Sequence, residues 1–241
     1  MFDPFRDFET AGYLRNTAGE KDLSIVKRLE HDVFMANLAD AMAFLSKRKA
    51  ISYTDFLHVH ALLFKDLYPW AGQDRQQTAP DIAISKAGTL FAHPADVERA
   101  VNLALRIAHD KNQLREKPGE VIGLFAYAHP FLDCNGRTML LIHADLCRRA
   151  GFSIDWLRTN KDDYLTALSK EIEQPGKGIL DAYLQPFIST PLDTQAWTAV
   201  VPQIRGLDGI PAADTVDGSF ADPNVSEKYR EFEQRRGYEI R

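Results

Sequence analysis

The chain has 241 residues, 45% of them hydrophobic and 26% charged, with a formal net charge of −5 at pH 7. That length suits one buried core with a short appendage, since single domains usually run to roughly 100–200 residues, and the negative balance argues against nucleic acid as a partner. No stretch approaches the ~18 apolar residues of a membrane span, and residues 1–7 lack a basic region leading into an apolar run, so neither a membrane partner nor an export signal is expected.

Taken in order, Asp22 can cap a long helix in which Leu23, Val26, Leu29, Val33, Leu38, Ala41, Met42 and Leu45 recur at helical spacing, ending near Lys47. Ser52 begins a second helix, with Asp55 three residues on as part of a capping box and Phe56, Leu57, His60, Leu63, Phe64 and Leu67 as its apolar face. His58 and His60 read as surface or satisfied helix histidines. Residues 76–93 break the helical pattern. Ile82, Ala83, Ile84 and Ser85 suit a short strand, Lys86-Ala87-Gly88 a turn, and Thr89-Leu90-Phe91 the return, giving a hairpin over about 82–93.

Pro94 and Pro118 each suit the first turn of a further helix, and the second of these runs directly into His129. Another helix follows, which Gly151 can end at its C′ position, and Asn160 can cap the next. A last core helix is expected over roughly 177–188. The expected fold is therefore mainly α-helical with one small β-hairpin. Residues 1–189 would form the domain, with an N-terminal helical part over 1–50 and a core over 51–189. Residues 190–241 would be a Pro/Gly-rich linker ending in a short charged helix that buries only Tyr229 and Phe232.

The two cysteines, Cys134 and Cys147, form neither a disulfide framework nor a metal-type pair, so a reducing cytoplasm is the expected location. Cys134 reads as a small residue in a tight loop; the alternative is a thiol activated by a helix N-terminus.

Between the two apolar helices lies the most informative stretch, Ala128-His129-Pro130-Phe131-Leu132-Asp133-Cys134-Asn135-Gly136-Arg137-Thr138. It offers an imidazole that titrates near neutral pH, a hard oxygen ligand at Asp133, an amide, a glycine and a fixed cation. The unpaired N–H groups of the following helix would face back into the loop as an anion site. Such a set suits phosphoryl chemistry on a magnesium-bound nucleotide: His129 as base, Asp133 for Mg²⁺, and Asn135, Arg137 and the backbone of Cys134 and Gly136 for the phosphates. Phe131 reads as an anchor for the loop.

The same residues resemble the signature of the Fic (filamentation induced by cAMP) family, His-x-Phe-x-Asp/Glu-Gly-Asn-Gly-Arg-x-x-Arg. Cys134 stands where Gly is usual and Leu140 where the second Arg is usual. Leu67-Tyr68-Pro69-Trp70-Ala71-Gly72 followed by Arg75, and Gly12-Tyr13-Leu14-Arg15-Asn16 near the start, are similar to family segments at corresponding places. The resemblance implies AMP transfer from ATP to a Ser, Thr or Tyr hydroxyl of a target protein, with toxin-like action. It also implies that the hairpin, as a flap through Ile82, Ala83, Ile84, Ser85 and Lys86, pairs with an extended segment of the target.

In the family the second Arg helps hold the terminal phosphate, so Leu140 leaves open phosphorylation of the Doc kind and, with Cys134, a catalytically silent binding module; other members transfer UMP or phosphocholine, a further alternative. Gly136, where Doc proteins carry Lys, favours nucleotidyl transfer. Family members are often restrained by a Ser/Thr-x-x-x-Glu-Gly/Asn helix. No glutamate here is followed by Gly or Asn, so intrachain inhibition of that type is not expected and a separate antitoxin-like partner is the alternative.

Overall fold

In the computed structural model, residues 15–204, 207 and 214–237 are described. The Asp22 carboxylate accepts from the N–H groups of Ser24 and Ile25 and starts α1 (Leu23–Ser46), as expected from its place before an apolar repeat. The complete Ser52–Asp55 capping box starts α2 (Tyr53–Phe64), and Asp74 caps the single turn α3 (Arg75–Thr78). Residues 12–14 of the entry segment lie outside the described residues.

The expected hairpin is formed by β1 (Ile82–Lys86) and β2 (Thr89–Leu90), antiparallel with Lys86 opposite Thr89. Its two-residue turn, Ala87-Gly88, has φ of 49° and 87°; positive values at both positions match the right-handed twist of the strands. Pro94 opens a 3₁₀ turn that continues as α4 (Val97–His109), and Asp110 then caps α5 (Lys111–Glu116), a short helix the apolar pattern did not announce.

The centre of the domain is α6 (Pro118–Ala128), every residue of which is buried. It packs against α4, α7 (Asn135–Arg149), α8 (Lys161–Glu173) and α9 (Ile179–Leu184). A helix apolar all round but for Glu120 in its first turn belongs in such a position. Gly151, at φ 83°, follows the end of α7 as expected, and Asn160 caps α8 through the N–H groups of Asp162 and Asp163. Between these elements β3 (Ser153–Ile154) pairs antiparallel with β4 (Ile188–Ser189). Among the described residues no helix is long and apolar enough to cross a membrane.

Beyond Ser189 the chain departs from the expected linker. Asp193 caps α10 (Thr194–Val200), which packs on α1 and buries Trp197; Val201 and Ile204 are buried directly after it. Then β5 (Thr215–Ser219) joins β1 antiparallel, making a three-stranded sheet of order β2-β1-β5. The final helix, α11 (Pro223–Arg236), docks on the domain. The Tyr229 hydroxyl accepts from the His93 N–H (2.8 Å), and the Tyr127 hydroxyl donates to Glu233 (2.8 Å). Arg236, not expected to be buried, lies 3.4 Å over the Tyr127 ring and donates to the Ile172 carbonyl. The packing therefore does not stop at the composition change: Trp197, Val201, Ile204 and Phe232 all join the core.

Two buried histidines tie this packing to pH. His143 faces the Pro118 carbonyl at 2.9 Å, and burial pushes its pKa down to about 4; the same cause pushes His60 down to about 3. A base with a folded pKa below its unfolded 6.5 contributes stability that is fully present above pH 6.5 and is lost as pH falls toward the folded value. Each histidine then removes about 1.4 kcal/mol for every pH unit below 6.5. The melting temperature followed by circular dichroism should fall between pH 7 and pH 5; equal values at the two would contradict a neutral, buried pair.

Candidate functional site

The His129-to-Arg137 loop connects the C-terminus of α6 to the N-terminus of α7, and both junctions use left-handed backbone. His129 has φ 42° and Cys134 has φ 62°, conformations that L residues adopt at a cost of roughly 1–3 kcal/mol. The usual Gly at the second position would relieve that cost, so Cys134 is a strained occupant of a glycine site. Two anchors hold the loop in place. Phe131 is fully buried and stacks 3.7 Å from the His60 ring. Asn135 accepts the Phe131 N–H and donates to the Phe131 carbonyl, both at 2.8 Å, so its amide braces the loop with its oxygen and one of its two N–H donors.

Arg75, which follows the Tyr68-Pro69-Trp70-Ala71-Gly72 segment in sequence, is the principal support of His129. Its fully buried guanidinium donates to the carbonyls of His129 (2.7 Å), Ala92 (2.7 Å) and Ala128 (3.3 Å), and its own N–H donates to the Pro130 carbonyl (2.7 Å). His60 adds a second brace. Its Nδ1 accepts from the Gly72 N–H (2.9 Å), which leaves Nε2 carrying the proton toward the Asp133 carbonyl (3.2 Å). The expected satisfied histidine is therefore part of the site's frame.

The His129 imidazole lies flat on the Phe91 ring, 3.8 Å away with 9° between planes, and directs Nε2 toward the flap. There it meets the Asp214 carboxylate at 2.7 Å, whose other oxygen pairs with the Lys86 ammonium at 3.1 Å. Burial holds the His129 pKa below its ordinary value, opposed by Asp214. Burial would raise Asp214, but His129 and Lys86 outweigh it and hold the carboxyl well below the usual range.

On the opposite side, α1 contributes two charges that the sequence reading left out. Lys27 reaches Asp133 (2.5 Å) and Glu30 (2.8 Å), while Glu30 also pairs with Arg137 (3.1 Å) and accepts from the Tyr68 hydroxyl. Burial works against the Lys27 charge, but Asp133 and Glu30 raise its pKa above the ordinary lysine value. The signal was present in the sequence: the buried stripe of α1 runs Val26, Lys27, Glu30, Phe34, Leu38, so two charges stand where apolar residues would serve packing better. The N–H of Cys134 is bound to the Asp133 carboxylate (2.6 Å) and does not face a free anion site. Burial, followed by Glu30 and Asp133, pushes the Cys134 thiol well up, which removes the reading of an activated thiol. Gly136 is different: a side-chain carbon added there would meet nothing within 4 Å, so the start of α7 opens onto free space beside Arg137. Leu140 is buried within the core and offers no cation to a terminal phosphate.

Carboxylate oxygens of Glu30 and Asp133 and the Cys134 sulfur come within 4.8 Å of one another. Two hard oxygen donors suit Mg²⁺, while the protonated thiol does not, so the residues fit such an ion through the carboxylates once Lys27 withdraws.

A helical domain built around this loop and carrying a hairpin beside its histidine is of the Fic type, and residues 50–147 match the Fic/DOC family. The chain is thus similar to the Fic/DOC family over that segment. It is 32% identical over 177 residues to the protein adenylyltransferase VbhT of Bartonella schoenbuchensis, covering 68% of this chain but 35% of that one. It is 29% identical over 167 residues to the probable protein adenylyltransferase y4lH of Sinorhizobium fredii, covering 64% of this chain and 81% of that one. The chain therefore spans only about a third of the length of the first relative. In fold it is similar to the Bartonella tribocorum BepC protein with bound AMPPNP, with a TM-score of 0.60 at 17% identity over 76% of this chain and 99% of that one. It is likewise similar to an N-terminal Fic domain from Bartonella quintana with bound ADP, with a TM-score of 0.60 at 18% identity over 75% and 92%.

The frame around His129 yields a direct expectation for Arg75. Arg75→Met would leave the carbonyls of Ala92, Ala128 and His129 without their donor and should cost about 3–5 kcal/mol in urea denaturation. A loss under about 1 kcal/mol would show that these carbonyls find other donors.

Proposed function

We propose that this protein is an enzyme that transfers AMP from ATP to a hydroxyl of a target protein. One observation carries the reading: Nε2 of His129 is aimed at the pairing edge of the flap, where an oxygen of a side chain next to the added strand lies 2.7 Å away. That is the distance and direction a target Ser, Thr or Tyr hydroxyl would need to hand its proton to the imidazole. The names of the relatives, protein adenylyltransferases, support the same reaction class.

In this reading the hydroxyl oxygen attacks the α-phosphorus and pyrophosphate leaves. His129 removes the proton; the depressed pKa keeps its imidazole neutral, hence basic, near pH 7. Arg137 exchanges its contact with Glu30 for a phosphate oxygen, and the open space at Gly136 accommodates the chain of phosphates. Asp133, with Glu30 beside it, would hold Mg²⁺, which when bound neutralises phosphate charge. Ile82, Ala83, Ile84, Ser85 and Lys86 would receive the target as an extra strand, whose backbone hydrogen bonds need little sequence complementarity. The target itself, toxin-like action and a separate inhibitory partner belong to this reading as well.

With a bacterial lysate and Mg²⁺, ATP labelled at the α-phosphate should mark a protein, γ-labelled ATP should not, and His129→Ala should abolish the label with the fold intact. Transfer of the γ-label alone, with the mass of one phosphate, would make the protein a kinase of the Doc kind and defeat this reading. Asp133→Ala should remove most activity together with its response to added Mg²⁺. Full activity of the parent in excess chelator would contradict that role.

A further inference from the structure

The flap edge that a target would need is taken. In the order β2-β1-β5 the outer edge of β1 is hydrogen-bonded to β5, with Ser85 opposite Thr215, Ile84 opposite Val216 and Ile82 opposite Ser219. One strand edge accepts one partner, so no target strand can pair with β1 while β5 is in place. Asp214, the residue preceding β5, supplies the oxygen that meets His129 at 2.7 Å. An ionised carboxylate only accepts hydrogen bonds, so Nε2 must carry the proton in this contact, and the nitrogen that should remove a target's proton is already occupied.

From these two facts we infer that residues 214–219 are a built-in stand-in for the target, holding the enzyme in an inactive state by strand pairing at β1 and by the Asp214 carboxylate at His129. The inference rests on the transfer reading above. It names the partner that must displace β5: an extended protein segment presenting a hydroxyl where Asp214 now presents a carboxylate.

The occupant is held firmly from its far side. The N–H of Phe220 donates to the Asp81 carbonyl (2.8 Å), Lys228 pairs with Asp217 (2.5 Å), and the Phe220 ring lies 4.2 Å from that of His93. Next in sequence, α11 is fixed through Tyr229, Glu233 and Arg236 as described above. A displaced β5 therefore stays tethered a short distance from the edge, where a high effective concentration favours its return. This is a different device from a glutamate-bearing inhibitory helix, because it acts on the base and the docking edge and leaves the phosphate side of the site alone.

Two measurements on the full chain decide the matter. Labelling of lysate protein from α-labelled ATP should proceed about tenfold faster or more with Asp214→Ala than with the parent, because the variant lets the edge open and frees Nε2. Equal rates, both abolished by His129→Ala, would overturn the inference while leaving the transfer reading in place. Amide hydrogen exchange, which needs no transfer, should show residues 215–219 protected in the parent and at least about tenfold faster in Asp214→Ala. Exchange in the parent at the rate of an unpaired segment would overturn the inference whatever the labelling shows. No labelling by any variant would defeat the transfer reading, and with it the view of Asp214 as an acceptor stand-in.

Discussion

A single buried guanidinium fixes the geometry on which everything else rests. Arg75 is wholly inside the protein and its three carbonyl partners belong to the end of α6, to the loop and to the segment leaving the flap. Carbonyls at a helix C-terminus carry partial negative charge, which offsets part of the cost of burying a cation there. Burial still pulls the Arg75 pKa down to about 10, against Asp214, so the guanidinium remains charged at neutral pH. Because the left-handed turn at His129 is bought by these bonds, the imidazole is placed by a residue 54 positions earlier, while its own ring makes no hydrogen bond to the loop.

On the other side of the loop the constraint is charge balance. Lys27 and Arg137 carry two positive charges, Glu30 and Asp133 two negative ones, and the four interlock in a row between α1 and the start of α7. Breaking one member of such a buried set leaves an uncompensated charge, which costs more than the set contributes when whole. The arrangement is suited to an anionic ligand that brings its own cation, since a phosphate can replace Glu30 at Arg137 and Mg²⁺ can replace the Lys27 ammonium at Asp133, each exchange keeping opposite charges in contact. Glu30 is then the residue whose partners change most, and burial and Asp133 raise its pKa while Lys27 and Arg137 lower it.

The parts of this molecule that could be read from the sequence are those whose cause is local. Caps at Asp22, Ser52 and Asn160, the Ala87-Gly88 turn and the apolar run of α6 act within a few residues, and the loop from His129 to Arg137 is one contiguous string. What escaped depends on partners far along the chain. Lys27 meets Asp133 across 106 positions and His129 meets Asp214 across 85; the apolar stripe of α1 marks Lys27 as out of place without naming its partner, and no local pattern marks Asp214. The strand β5, Thr-Val-Asp-Gly-Ser, has no alternation of apolar residues to announce it; its pairing is made by backbone groups, which every residue has. The helix α10 commits one large side chain, Trp197, to the core, too little for a helical period to show. Asn135 was legible as a polar loop residue, but its use as a brace was not, because the same amide could serve either the loop or a phosphate.

The tail raises a question of economy that its own chemistry answers. Any open strand edge invites association, and β5 would be useful simply as a cover for β1. A cover needs only backbone, however, and small or polar side chains directed to water would serve it. Asp214 instead is 9% exposed and faces inward, where burial alone would disfavour its charge. The positions of His129 and Lys86 make that charge tolerable, and both belong to the machinery, one as the proposed base and the other on the flap. A carboxylate kept at such a site, at the end of a strand that a target would have to replace, is what separates an inhibitory segment from a protective one.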